Sequence, residues 1–146
     1  MRKVEWISQR CDPKTLAAHQ LMEDQVTTCQ PEDKAITVAH KLYDGNIGSL
    51  PVIDAQKTLL GIVTEFDILR AIETEQNLLQ IPVSTIMNPR VVSVTEETSF
   101  MEIVKLLQEY HLLRVPVVRG TTLVGILARG DVILGYIKAT DVGSGG

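Results

Sequence analysis

The chain has 146 residues, with 14 Lys and Arg against 18 Asp and Glu, a formal charge of −4, and a composition 45% hydrophobic but only 4% aromatic. That hydrophobic share excludes the disordered class and implies a core of Val, Ile, Leu and Ala, in one domain or two small units sharing a core. An acidic chain without a Lys/Arg run argues against nucleic acid as a partner, leaving room for a small local anion site, and no apolar run nears the roughly 20 residues of a membrane insertion.

Residues 1–12 show weak periodicity and read as an arm, or a short extra strand or helix. Their start, Met1-Arg2-Lys3-Val4-Glu5-Trp6, lacks the apolar stretch of a secretory signal. Cys11 and Cys29 make neither a CxxC pair nor a disulfide framework, which points to a reducing, cytoplasmic setting. Asp12-Pro13 has the form of a helix start, with Asp as cap and Pro at the first position, and residues 16–22 carry a short helix. Residues 26–29 are a small β-rich run. Pro31-Glu32-Asp33 opens a second helix, its early acids suited to the positive end, and Ala35, Val38, Ala39 and Leu42 form its apolar face. Asp44-Gly45-Asn46 ends it, because Gly and Asn readily take the left-handed conformation. Residues 50–54 form a strand entered through Pro51, 55–57 a turn, and 59–63 the return strand. The spacing then predicts a helix over about 65–75, carrying Ile68, Leu69, Ala71 and Ile72.

Self-similarity organises the rest. One constant displacement sets Met22 on Met87, Val26 on Val91, Glu32 on Glu97, Leu42 on Leu107 and Pro51-Val52 on Pro116-Val117. One residue is lost in the turn, after which Gly61-Ile62 falls on Gly125-Ile126 and Asp67 on Asp131. The chain therefore reads as two copies of a β-α-β-β-α unit, an α/β fold (α+β by some conventions) with pseudo-symmetric repeats packed sheet to sheet into one module. Its divisions are an N-terminal arm (1–12), a first repeat (13–80), a second (81–141) and a flexible tail (142–146) of linker composition. Residues 82–87 repeat the helical lead-in of the first copy, and 91–94 its first strand.

The run Leu50-Pro51-Val52-Ile53-Asp54, followed by Gly61-Ile62-Val63-Thr64-Glu65-Phe66-Asp67, resembles the core signature of a CBS domain. Ile86-Met87-Asn88-Pro89, Val91-Val92-Ser93-Val94 and Arg114-Val115-Pro116-Val117-Val118 fit a second copy, so the chain resembles a CBS pair, or Bateman module, over roughly residues 13–140. The resemblance implies clefts between the repeats that hold adenine-containing ligands: AMP, ADP, ATP, S-adenosylmethionine, NAD or a cyclic dinucleotide. It also implies a homodimer formed through helices and a regulatory role. With nothing else attached, the chain would act as a stand-alone sensor on a separate effector protein, without a catalytic cofactor. A structural dimerisation or partner-docking module with no nucleotide is the alternative.

Within that resemblance, Asp67 and Asp131 would accept hydrogen bonds from ribose hydroxyls, with Thr64 adding a ribose or phosphate contact. Arg114 would reach phosphate across the cleft, and Arg129 is a weaker candidate of the same kind. Thr27, Thr28, Ser49, Leu50, Ile62, Val92, Ser93, Val115 and Ile126 would enclose the base, although each apolar member is individually better explained as core. A structural account of the Asp residues is also available. Thr-x-x-Asp at a strand-to-helix junction is a capping box. Asp131 recurs where Ala128 has replaced the Thr, which counts against that account and makes the two sites unequal. His19, His40 and His111 lack metal-ligand spacing. No nucleophile–base pair, paired carboxylates or Gly-rich phosphate loop stands out, so an enzyme is not expected.

Overall fold

The computed structural model describes residues 1–141; the flexible tail expected at 142–146 lies outside them. In chain order the elements are α1 (Ala18–Leu21), α2 (Ala35–Asp44), β1 (Ser49–Ile53), β2 (Leu59–Thr64), α3 (Glu65–Glu73), β3 (Val94–Thr95), α4 (Phe100–Glu109), β4 (Arg114–Arg119), β5 (Thr122–Ala128) and α5 (Arg129–Thr140), with 3₁₀ turns at Lys3–Trp6, Pro13–Thr15 and Val83–Thr85. The described residues form two compact units, one from Thr27–Val91 and the other from Met1–Val26 together with the described chain after Val91.

The two copies share their strand register. In the first unit β1 and β2 are antiparallel, with Ser49 opposite Thr64 and Val52 opposite Gly61, and a bulge after Val52. In the second unit β4 and β5 repeat this, with Arg114 opposite Ala128, Val117 opposite Gly125, and a bulge after Val117. Cys29 bridges Val52 in parallel, as β3 sets Val94 beside Val117. Alternation of side chains across the pleat then buries Leu50, Val52 and Val63 in one unit and Val115, Val117 and Leu127 in the other. Helical spacing brings Val38, Leu42 and Ile68 onto the first core, and Phe100, Ile103, Leu107 and Val132 onto the second.

The lead-ins change partners relative to the sequence repeat. Met87 and Asn88 lie against Gly61 of the preceding hairpin, whereas Met22 and Glu23 lie against Gly125 of the distant one. The N-terminal arm belongs to the same distant unit: Val4, Leu16, Leu21 and Met22 are in its core.

Several boundaries differ from the sequence expectation, each because tertiary partners serve the backbone. The helix expected over 16–22 shrinks to α1. Asp12 caps only a 3₁₀ turn through Lys14 N–H, and Leu16 C=O and Ala18 N–H bond to Phe100 and Thr98 instead. The α2 helix starts at Ala35, not Pro31, because the Asp33 carboxylate turns back to Gln30 N–H and the first helical donors, on Ala35 and Ile36, reach the carbonyls of Ile81 and Leu78. Of the β-rich run 26–29 only Cys29 pairs, and of 91–94 only Val94. At the end of α2, Gly45 stays right-handed while Asn46 takes φ 49°; His111 occupies the matching position with φ 51°. The α3 helix ends at Glu73, and of the apolar residues it carries Ile68 and Ala71 are buried while Leu69 and Ile72 are exposed.

Candidate functional site

Among the described residues, the buried polar or charged side chains are Ser49, Asp67 and Asp131. All three belong to the strand-to-helix junctions singled out by the repeat. Burying a carboxylate is costly unless its oxygens are hydrogen-bonded, so the partners of each Asp decide what it has left to offer a ligand.

At the first junction, β2 ends and α3 begins in an extended Thr64, which serves as N-cap. Asp67 Oδ2 accepts the Thr64 backbone N–H at 2.8 Å and the Thr64 hydroxyl at 3.2 Å; that hydroxyl in turn accepts Asp67 N–H at 3.3 Å. The box closes on itself, and the Thr64 hydroxyl proton is spent inside it, leaving that oxygen only a further acceptor position. Asp67 Oδ1 has a single contact, Arg70 Nη1 at 3.2 Å, from an exposed side chain one helical turn along. Ser49 is the cross-strand neighbour of Thr64, and Gly48 C=O accepts the first helical N–H, from Glu65.

The second junction has the same backbone and a different occupancy. Asp131 Oδ2 accepts Ala128 N–H at 2.9 Å. This half of the box needs only a carboxylate at the third helical position, whatever side chain stands at the cap. The recurrence of Asp131 without a Thr therefore has a structural cause, and it no longer argues by itself for a ligand. Asp131 Oδ1 takes the Arg2 guanidinium through both Nε at 2.9 Å and Nη2 at 2.7 Å. The hydrogen bond, and then the charge, of Asp131 hold that guanidinium above its ordinary pKa. No spacing in the sequence announces Arg2; only the packing of the arm onto α5 brings it here.

Arg114 is half-buried, the cross-strand neighbour of Ala128. Arg129 is exposed and lines a groove of about 530 Å³ with His111, Val104, Leu107, Leu112 and Ile133, whose lining does not include Asp131. Of the residues expected around the base, Leu50 and Val115 are fully buried core. Ile126 is buried and Ile62 half-buried, and both are tied by backbone pairing to the lead-ins, to Glu23 and Asn88. Thr27 is exposed; Thr28 is half-buried, with its carbonyl taken by Lys41 Nζ at 2.7 Å. Val92 and Ser93 are half-buried in the second unit. The structure thus gathers Ser49, Thr64 and Asp67 at one junction and Arg114 and Asp131 at the other. Among the described residues, no group of three or more His, Cys, Asp or Glu is placed to hold a metal, and no helix is long and apolar enough to cross a membrane.

The family model described as CBS domain matches the chain twice, over residues 18–74 and 83–138. The CBS domain-containing protein YhcV of Bacillus subtilis (strain 168) is 30% identical over 84% of this chain and 87% of its own. The protein YlbB of the same organism is 35% identical over 78% of both chains. Among solved structures, CBSX2 in complex with AMP superposes with a TM-score of 0.75 at 27% identity, covering 84% of this chain and 96% of its own.

Proposed function

This chain belongs to the CBS domain family as a tandem pair, and from that premise we propose that it is a regulatory module binding an adenine-containing nucleotide, with Asp67 as the ribose acceptor. The observation that carries this reading is the free capacity of Asp67. It is buried and held rigid by its own helix start, yet Oδ1 faces only a long, exposed Arg on the same helix. A preset carboxylate oxygen of this kind accepts a ribose diol without first paying to order itself. CBSX2, similar in fold and sequence, is solved with AMP, which makes AMP the first ligand to try. Arg114, half-buried on β4, is the cation proposed for phosphate. Signalling then rests on differential affinity: the nucleotide shifts the chain only toward the arrangement it binds more tightly.

The same reading makes the chain a homodimer through α3 and α5, whose Phe66, Leu69, Ile72, Ile133, Tyr136 and Ile137 stand exposed. A regulated effector protein follows from the regulatory role, and a catalytic one does not.

Thermal unfolding with AMP tests the proposal. At about 100 times its dissociation constant the nucleotide should stabilise by roughly 2.7 kcal/mol, a rise of several degrees. In Asp67→Ala the rise should vanish. An unchanged rise in Asp67→Ala moves the ligand elsewhere, and no rise with AMP, ATP, S-adenosylmethionine or NAD up to millimolar favours the docking module.

A further inference from the structure

We propose that Arg2 is a built-in occupant of the second junction, so that the folded chain takes one nucleotide, at Asp67, and not two. This rests on the ribose reading of the two Asp residues given above. The asymmetry is in the oxygens. Asp67 Oδ1 has one contact, at 3.2 Å, from Arg70. Asp131 Oδ1 receives two donors of one guanidinium, at 2.9 and 2.7 Å, and Oδ2 is held by the helix start. Charge-assisted hydrogen bonds of this length are about twice as strong as neutral ones, so two ribose hydroxyls are poor competitors for Asp131.

The arm that carries Arg2 is anchored independently of that contact. Val4 is fully buried, and its neighbours are tied by Lys3 N–H to Met22 C=O at 2.8 Å and by Lys138 Nζ to Glu5 C=O at 2.6 Å. The Arg2 backbone is bridged to Glu23. The guanidinium is thus delivered to Asp131 by a fixed backbone; its side chain is 43% exposed, and Nη1 also donates to Glu5 Oε1 at 3.3 Å. The arrangement makes Arg2 the residue that sets how many ligands the pair takes.

Calorimetric titration of AMP into the full chain and into Arg2→Gln reads this directly. One equivalent is expected for the wild type and two for Arg2→Gln, the second lost again in Arg2→Gln/Asp131→Asn. Equal stoichiometry in wild type and Arg2→Gln, whether none, one or two, overturns the proposal. So does loss of the wild-type equivalent in Asp131→Asn rather than in Asp67→Ala. A wild type that binds none beside an Arg2→Gln that binds one supports the occupant and sinks the Asp67 site instead. If Arg2→Gln does not fold, Arg2→Met is read the same way, since a Met keeps an unbranched stem but loses both the charge and the donors.

Discussion

Single side chains in this protein are assigned by what their last free atom can reach. Thr64 looks like a ligand contact in the sequence, yet its hydroxyl both donates and accepts within the capping box. Cys29 is a second case. It is 2% exposed beside Val52, and burial, chiefly, pushes its thiol up to about 12, whereas Cys11 is exposed. A thiol stays inert while protonated and covered. Native protein at pH 8 should react with one equivalent of a thiol reagent and with two after unfolding; two fast equivalents in the native state would show that the strand bridge opens. The raised pKa also has a stability consequence. A group whose folded pKa exceeds its unfolded value contributes stability below the unfolded value, about 8.5 for a thiol, and loses it as pH climbs toward the folded value. The urea midpoint should therefore fall between about pH 9 and 12, and fall less steeply in Cys29→Ala.

At the scale of elements, each hairpin is locked to a lead-in by a glycine. A Cβ on Gly61 would stand 2.8 Å from Met87 Sδ and 2.9 Å from the Asn88 carbonyl. The Met could move, but that carbonyl is fixed, since Ile62 and Asn88 exchange both backbone hydrogen bonds, at 2.9 and 2.8 Å. Gly61→Ala should cost about 1–3 kcal/mol by overpacking. Gly130, in the first turn of α5, meets nothing within 4 Å. Gly130→Ala should be neutral or gain up to about 1 kcal/mol through helix propensity. Chemical denaturation of the two variants checks the contrast, and equal effects would mean that the lead-in contact carries no weight.

At the scale of the whole molecule, α3 in one unit and α5 in the other each present exposed apolar side chains. Phe66 is 75% and Ile133 61% exposed, more than a solvent-facing helix needs. Light scattering on Leu69→Glu and Ile133→Glu should report monomers where the wild type is a dimer, with each variant folded by circular dichroism. A wild type that is monomeric at micromolar concentration removes the dimer from the functional reading.

The duplication, the hairpins and the junctions at Asp67 and Asp131 were legible in the residues, because strand patterning, turn chemistry and capping are local and the two copies check each other. The boundaries of α1 and α2 were not, because their first donors are satisfied by carbonyls far along the chain, at Thr98, Leu78 and Ile81. Nor was the division into units, since nothing in the lead-in sequences says which hairpin each will cover. The occupancy of the second junction belongs to the same class. Asp131 was visible as an acid at a helix start, but its burial was not, and its partner Arg2 lies at the other end of the chain. Only the seating of Val4 in the core brings that guanidinium within 2.7 Å of it.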